Sequence, residues 1–416
     1  MRGIFTASNG GVRNPGTGDR ELQIGRAIAS HRRSAMRRRQ LLGLPLIGAS
    51  AVLLANCRGA DAGMGGAAQA AGSGFRLVEV TGGLEHPWAL AFLPDGRMLV
   101  TERDGRLRLI EGGRLAAAPL EGVPDVVASG QGGLLDVVLH PEFATNGLLY
   151  LSYAGATPQG AATHVLRARL DGDRLVEGEV ILVGGASGTG RHFGSRMAFD
   201  RAGLLYVSLG DRGEMKRAQD LGDLVGKIVR LTADGAVPPD NPFVGREGAR
   251  PEIFCSGMRN PQGLALNPWS GAVWEQEHGP RGGDEVNILR AGANYGWPVI
   301  THGVDYTFLP IGEGKEKPGL EQPVHVWVPS IAPSGMAFYD GAAFPDWRGS
   351  LFVGALKDEL LARLVLDGDR VVREERLLEG EIGRIRDVRV GPDGFLYLIN
   401  DERRAGVFRL EPEGPA

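Results

Sequence analysis

Six times along this 416-residue chain, a short apolar alternation runs into a turn ending in glycine and continues as an apolar or aromatic strand. The copies are ALAFLPDGRMLVTE from Ala89, DVVLHPEFATNGLLYLSY from Asp136, RMAFDRAGLLYVSLGD from Arg196, GLALNPWSGAVWEQE from Gly263, GMAFYDGAAFPDWRGSLFVGA from Gly335 and DVRVGPDGFLYLIND from Asp387. Their turn glycines are Gly96, Gly147, Gly203, Gly271, Gly349 and Gly394. A third alternating run follows each copy. Alternation with period two marks a half-buried strand, and three or four such strands recurring every ~45–80 residues are the pattern of propeller blades. The fold class is therefore all-β, a six-bladed β-propeller. Two stacked sandwiches would not repeat one strand–turn–strand unit six times. The segment FRLVEV, Phe75 to Val80, is placed to pair beside the last strand, Val407 to Leu410, closing the ring and removing an open edge.

The chain ahead of the repeats reads differently. MRRRQLLGLPLIGASAVLLANC, from Met36 to Cys57, has a basic head, a short apolar run and small residues, as a secretory signal does. Arg38-Arg39-Gln40-Leu41-Leu42 resembles a twin-arginine export motif, and Cys57 stands where a lipoprotein would be lipidated, with an asparagine before it. The expected organisation is an upstream extension at 1–35, a signal at 36–57, a linker at 58–74 and the propeller at 75–412. The mature protein is then exported and periplasmic, with Cys57 offering a lipid anchor to the membrane. Residues 1–56 hold nine arginines and two acids, so their loss leaves 37 basic against 48 acidic residues, near −11. That balance argues against a nucleic-acid partner. Cys255 is the one cysteine after Cys57, which leaves no internal disulfide and makes it a small buried filler.

Within the third repeat, His192 stands before the first strand and Asp211 closes the second. The start of one antiparallel strand and the end of its partner are neighbours in space. A carboxylate there fixes the imidazole tautomer and leaves the second nitrogen to take a proton; a histidine merely capping a loop is the alternative. The equivalent positions of the other blades offer Gln131 in GQGGLLD, Arg259 and Asn260 in GMRNPQG, Lys357 in GALKDE, and Arg384 and Arg386 in GRIRDV. Four cations from three blades meeting on one axis would repel one another unless an anion sat between them. A flat polyanion suits planar guanidinium groups. The stretch EQEHGPRGGDEVNILRAGANYGWP adds glycine-rich turns, and Gly279 and Pro280 present carbonyls of the kind that hard cations such as calcium take, with Glu285 adding a carboxylate.

Together these segments resemble the soluble glucose dehydrogenase and aldose sugar dehydrogenase family of quinoproteins. The resemblance runs from about Gly82 to Leu410, with GQGGLLDVVLHPEF, RHFGSRMAFD, MRNPQGLAL, EHGPRGGDEVN, GANYGWP and GRIRDVRVGPDG in the family's order. It implies a six-bladed propeller using pyrroloquinoline quinone (PQQ) and calcium to oxidise aldose sugars at C1, with electrons passed to an external acceptor. It further implies His192 as general base with Asp211 supporting it, and Gln131 near the sugar. Arg259, Asn260, Lys357, Arg384 and Arg386 would hold the quinone, Arg259 also stabilising its developing oxyanion. The carbonyls of Gly279 and Pro280 would bind a catalytic calcium, and Glu285 with the backbone of Tyr295 a structural one. The family's aromatic contact before APS has no counterpart in VHVWVPSIAPSG, so the place of Trp327 is open, and the insertion from Phe308 to Pro323 is expected to shape the sugar pocket. Two other readings compete: a metal-dependent lactonase on the same fold, and a non-catalytic binding propeller.

Overall fold

The structure is a computed structural model and describes residues 74–414. The upstream extension, the export signal with Cys57 and all but the last residue of the linker lie outside the described residues. The described chain forms six four-stranded antiparallel sheets, the blades of a six-bladed β-propeller. The innermost strands are Pro87–Phe92, Leu134–Leu139, Gly194–Phe199, Pro261–Leu266, Pro333–Phe338 and Ile385–Val390, each of six residues. In the last blade the outermost strand is Phe75–Leu84, drawn from the start of the domain and paired antiparallel with Ala405–Pro412, Leu77 facing Leu410. The ring is thus closed by strands from both ends of the domain, and no inner edge is left open.

The six turn glycines all take left-handed φ angles, from 65° at Gly147 to 88° at Gly96. At Gly96, Gly203 and Gly349 a Cβ would meet nothing within 4 Å. Backbone conformation, not crowding, selects glycine there. Apolar residues of adjacent blades then pack into buried clusters, such as Tyr150, Val165, Met197, Val207 and Val229 between blades two and three.

Every innermost hairpin carries a register shift near the start of the inner strand. A bulge strands backbone groups, and buried hydroxyls on the second strands recover them. Ser152 Oγ accepts from Asp136 N at 2.9 Å and donates across the blade boundary to Ser195 O at 2.7 Å. Thr101 serves Ala89 N and Leu135 O in the same way, and Ser208 serves Arg196 N and Pro261 O. Below the bulges the channel is plugged by buried charge: Arg196 pairs with Asp136 and Asp387 at 3.3 and 3.1 Å and lies 4.0 Å over the Trp88 ring. The site is therefore confined to the end of the channel where the inner strands begin.

Candidate active site

Loops preceding the inner strands surround a cavity of about 170 Å³ whose lining includes Trp88, Arg103, Gln131, Asn260, His278, Arg384, Arg386 and Asp401. A second recess beside it, sharing His278, is lined by Arg259, Glu277, Gly279, Glu285, Tyr295 and Trp297. Of the residues picked from sequence, Gln131, Asn260, Arg384 and Arg386 line the first recess, and Arg259, Gly279, Glu285 and Tyr295 the second.

His192 and Asp211 meet just behind this wall: neither lines a recess, but Phe193, Gly194 and Gln131 line the first and Trp297 the second. Asp211 Oδ1 lies 2.6 Å from His192 Nδ1, and an ionised carboxylate only accepts, so Nδ1 carries the proton and Nε2 is the free base. Gly213 N also donates to Oδ1, at 2.6 Å, and Trp297 Nε1 donates to Oδ2 at 2.8 Å. His192 N donates to Gln131 Oε1 at 2.6 Å, tying blade two to blade three. The local backbone is unusual: His192, Ser195 and Arg212 have φ of 54°, 80° and 58°, a region that costs most non-glycine residues ~1–2 kcal/mol. The loop is held down by close packing. A Cβ on Gly210 would lie 2.1 Å from His192 O, and the Arg212 guanidinium sits 3.3 Å over the Phe193 ring.

Burial is the main influence that holds the His192 imidazole below its ordinary pKa, and Arg259 pushes the same way against the opposing Asp211 carboxylate. Burial alone would raise Asp211, but the hydrogen bond and charge of His192, the Gly213 N–H and Arg259 together outweigh it and keep the carboxyl below the usual carboxylate range. At neutral pH the pair is imidazole and carboxylate, the state a general base needs.

The cations are held by buried acids at or just beyond the ends of the second strands, where Asp211 also lies. Glu277 Oε2 accepts from Arg259 N at 2.5 Å and Asn260 N at 2.9 Å. Asp401 Oδ2 accepts from Arg386 at 2.8 Å and lies 3.6 Å from Arg384, while Asp401 Oδ1 contacts His86 Nδ1 at 3.0 Å. The mutual repulsion expected of these cations is thus partly answered by the protein itself. Arg259 NH1 donates to His278 O at 2.8 Å, and His278 Nε2 to Pro333 O at 2.6 Å. Lys357 is set apart: it bonds Ser330 O and Asp358, its side chain is 57% exposed, and it is not among the cavity's lining residues. Sequence reasoning missed Arg103, His278, Trp297 and Asp401. Trp327 is buried and donates to Glu374 Oε2 at 3.1 Å, and no residue from 308 to 323 lines the cavity. Cys255 is buried and unpaired.

The residues present suit an anion and a hard cation. Arg103 Nε and Arg386 Nε are buried without a partner, leaving donors free at the mouth. The Gly279–Gly283 loop folds so tightly that a Cβ on Gly279 would lie 2.2 Å from Gly282 O and 2.4 Å from Gly283 O, and Asp284 pins it by accepting from Gly279 N at 2.8 Å. Beneath lie three buried carboxylates. Burial raises Glu277 to about 7 and Glu285 to about 8, each also repelled by acidic neighbours, and lifts Glu275 well above its ordinary value. Glu275 Oε2 and Asn287 Oδ1 have no partner. Oxygen donors crowded this way favour a calcium-like ion.

A histidine–aspartate pair beside a cation-lined cavity, at one end of a propeller channel, is an arrangement typical of an enzyme site. The chain belongs to the Glucose / Sorbosone dehydrogenase family, whose profile matches residues 84–409, and it is an oxidoreductase. It is 49% identical over 340 residues to aldose sugar dehydrogenase YliI of Escherichia coli (strain K12), covering 79% of this chain and 91% of that protein. The crystal structure of the soluble aldose sugar dehydrogenase from Escherichia coli in its apo-form superposes with a TM-score of 0.80 at 46% identity, over 81% of this chain and 99% of that one. The PQQ-bound form of aldose sugar dehydrogenase from Streptomyces coelicolor gives a TM-score of 0.67 at 30% identity, over 82% and 100%.

Proposed function

We propose that this protein oxidises aldose sugars at C1 to the lactone, using PQQ and calcium and passing two electrons to an external acceptor. The single observation that carries the reading is the His192–Asp211 pair, 2.6 Å apart, bonded through Gln131 to the wall of a cavity bearing Arg384 and Arg386. A PQQ-bound relative of the same fold supports the choice of cofactor. When bound, PQQ supplies a quinone that takes up hydride, and calcium polarises it.

The chain's own residues do the rest. His192 Nε2 removes the proton of the anomeric hydroxyl, and Asp211 stabilises the resulting imidazolium. Gln131 fixes the His192 backbone through its Oε1 and turns its amide toward the sugar. Arg386 and Arg384, oriented by Asp401, hold the carboxylates of the cofactor, with Asn260 beside them; Lys357 would need to leave Ser330 and Asp358 to join. Arg259, anchored by Glu277 and His278, supplies positive charge where an oxyanion develops. The carbonyls of Gly279 and Pro280 hold the catalytic calcium, and Glu285 with the Tyr295 backbone a structural one.

The reading includes export to the periplasm, supported by the twin-arginine-like segment, with Cys57 as the candidate lipid site. The test is reconstitution: metal-depleted protein with added PQQ and calcium should reduce an artificial dye when given aldoses. Protein that binds PQQ tightly yet oxidises no aldose, or that binds none, overturns the proposal.

A further inference from the structure

We propose that Trp297 is a positioning residue that sets the basicity of His192 by acting through Asp211. The inference rests on His192 being the base under Proposed function. The indole Nε1–H reaches Asp211 Oδ2 at 2.8 Å, on the carboxylate oxygen that His192 does not use. Three donors therefore surround this carboxylate, and the indole is the one that reaches Oδ2.

The residue that carries the indole is buried and its backbone is pinned on both sides. Trp297 is 6% exposed, its N–H donates to Gly257 O at 3.0 Å, and its carbonyl accepts from Gln219 Nε2 at 2.7 Å. Gln219 in turn exchanges amide hydrogen bonds with Asn294 at 3.1 and 2.7 Å. The other side of the ring faces Arg259, whose guanidinium carbon lies 5.4 Å from the centroid. One rigid side chain thus touches both the aspartate behind the base and the arginine beside it.

A buried indole N–H needs an acceptor, so a purely structural role would make Asp211 only the partner that satisfies Trp297. The two roles differ in their effect on protonation. A donor to Oδ2 draws charge from the carboxylate, weakens its pull on the Nδ1 proton and keeps the imidazole neutral. Without that donor Asp211 becomes a stronger acceptor, and imidazolium is favoured. The charged and titratable groups facing the pair are Arg191, Arg259 and His278 around His192, and Arg212, Arg259 and Glu277 around Asp211. Trp297→Phe leaves all of them in place.

The experiment is an NMR titration of the His192 imidazole, assigned against His192→Ala, in protein free of PQQ and calcium. Trp297→Phe should raise the His192 pKa by ~0.5–1 unit, about half of the ~1–2 units that one donor to a charged group is worth, because the effect reaches the imidazole only through Asp211. In the loaded enzyme the acid limb of kcat/KM should move up by the same amount, with kcat falling more than KM changes. In an Asp211→Asn background the substitution should produce no shift. An unshifted pKa in Trp297→Phe, or an equal shift without Asp211, overturns the proposal. Should Trp297→Phe fail to fold, the wild-type indole Nε1–H resonance must titrate with the His192 midpoint; an indole signal blind to that midpoint overturns it equally. A shifted pKa in a protein that oxidises no sugar would keep this coupling and remove the proposed function, whereas sugar oxidation with an unshifted pKa would do the reverse.

Discussion

Replacing Asp211 by asparagine should remove most of the activity without removing the fold, because every neighbour of this carboxylate is a donor. Oδ1 takes His192 Nδ1 and Gly213 N, and Oδ2 takes Trp297 Nε1. An asparagine has one acceptor and one donor. With its oxygen toward His192, its NH2 faces the indole N–H across 2.8 Å and that bond is lost. With its NH2 toward His192, the imidazole must accept at Nδ1, which moves the proton to Nε2 and abolishes the base. The first arrangement sacrifices a hydrogen bond to a charged group, ~1.5–3 kcal/mol, or ~10–150-fold in rate. The second forfeits general-base catalysis, ~10²–10⁴-fold. We expect kcat/KM for aldose oxidation by the PQQ- and calcium-loaded variant to fall by ~10²–10⁴-fold, with PQQ affinity little changed. The carboxylate is what raises the His192 pKa against burial and Arg259, so the residual activity should show its acid limb at lower pH than wild type. Stopped-flow dye reduction across pH measures both. Turnover within about threefold of wild type would refute the assignment of Asp211, since either arrangement costs more than that.

Two further outcomes follow from the buried polar groups. Glu277 and Glu285 have folded pKa values raised to about 7 and about 8 by burial and acidic neighbours, so their contribution to stability is full below their ordinary value near 4.5 and is lost as pH rises through 7 and 8. Metal-free protein should therefore melt lower at pH 8.5 than at pH 5.5, by an amount worth a few kcal/mol on the order of the shifts, and calcium should abolish the difference; a flat melting profile without calcium contradicts this. Ser152→Ala strands a buried N–H and a buried carbonyl at the junction of blades two and three, and should cost about 2–4 kcal/mol in denaturant titration, whereas a loss below about 0.5 kcal/mol would deny the hydroxyl its bridging role.

The blades were legible because their signals are local. Alternation sets which face of a strand is buried, and Gly203 or Gly349 stands where only a left-handed turn connects the hairpin. The closing pair of Leu77 with Leu410 follows from the need to cover an edge. His192 and Asp211 were legible because antiparallel pairing brings the two ends of one hairpin together. Partners from other blades were not, since ring closure places Trp297 against Asp211 and His86 against Asp401 across no shared sequence pattern. A signal did exist for the acids: Glu102, Asp211, Glu277 and Asp401 all close second strands, in VTE, LGD, EQE and IND. Read as a set, they announce buried countercharges at one end of the ring. Lys357 sits in a comparable strand-end position, but a longer side chain with Asp358 next to it finds its partner in solvent.

The account stands most directly on what His192 does to a bound cofactor. Calcium-loaded wild type and His192→Ala should be titrated with PQQ, then given an aldose without an acceptor while quinone absorbance is followed. The expected result is comparable PQQ binding in both proteins, rapid bleaching in the wild type and none in the variant. Bleaching at the wild-type rate in His192→Ala, or a wild type that fails to bind PQQ, would contradict it.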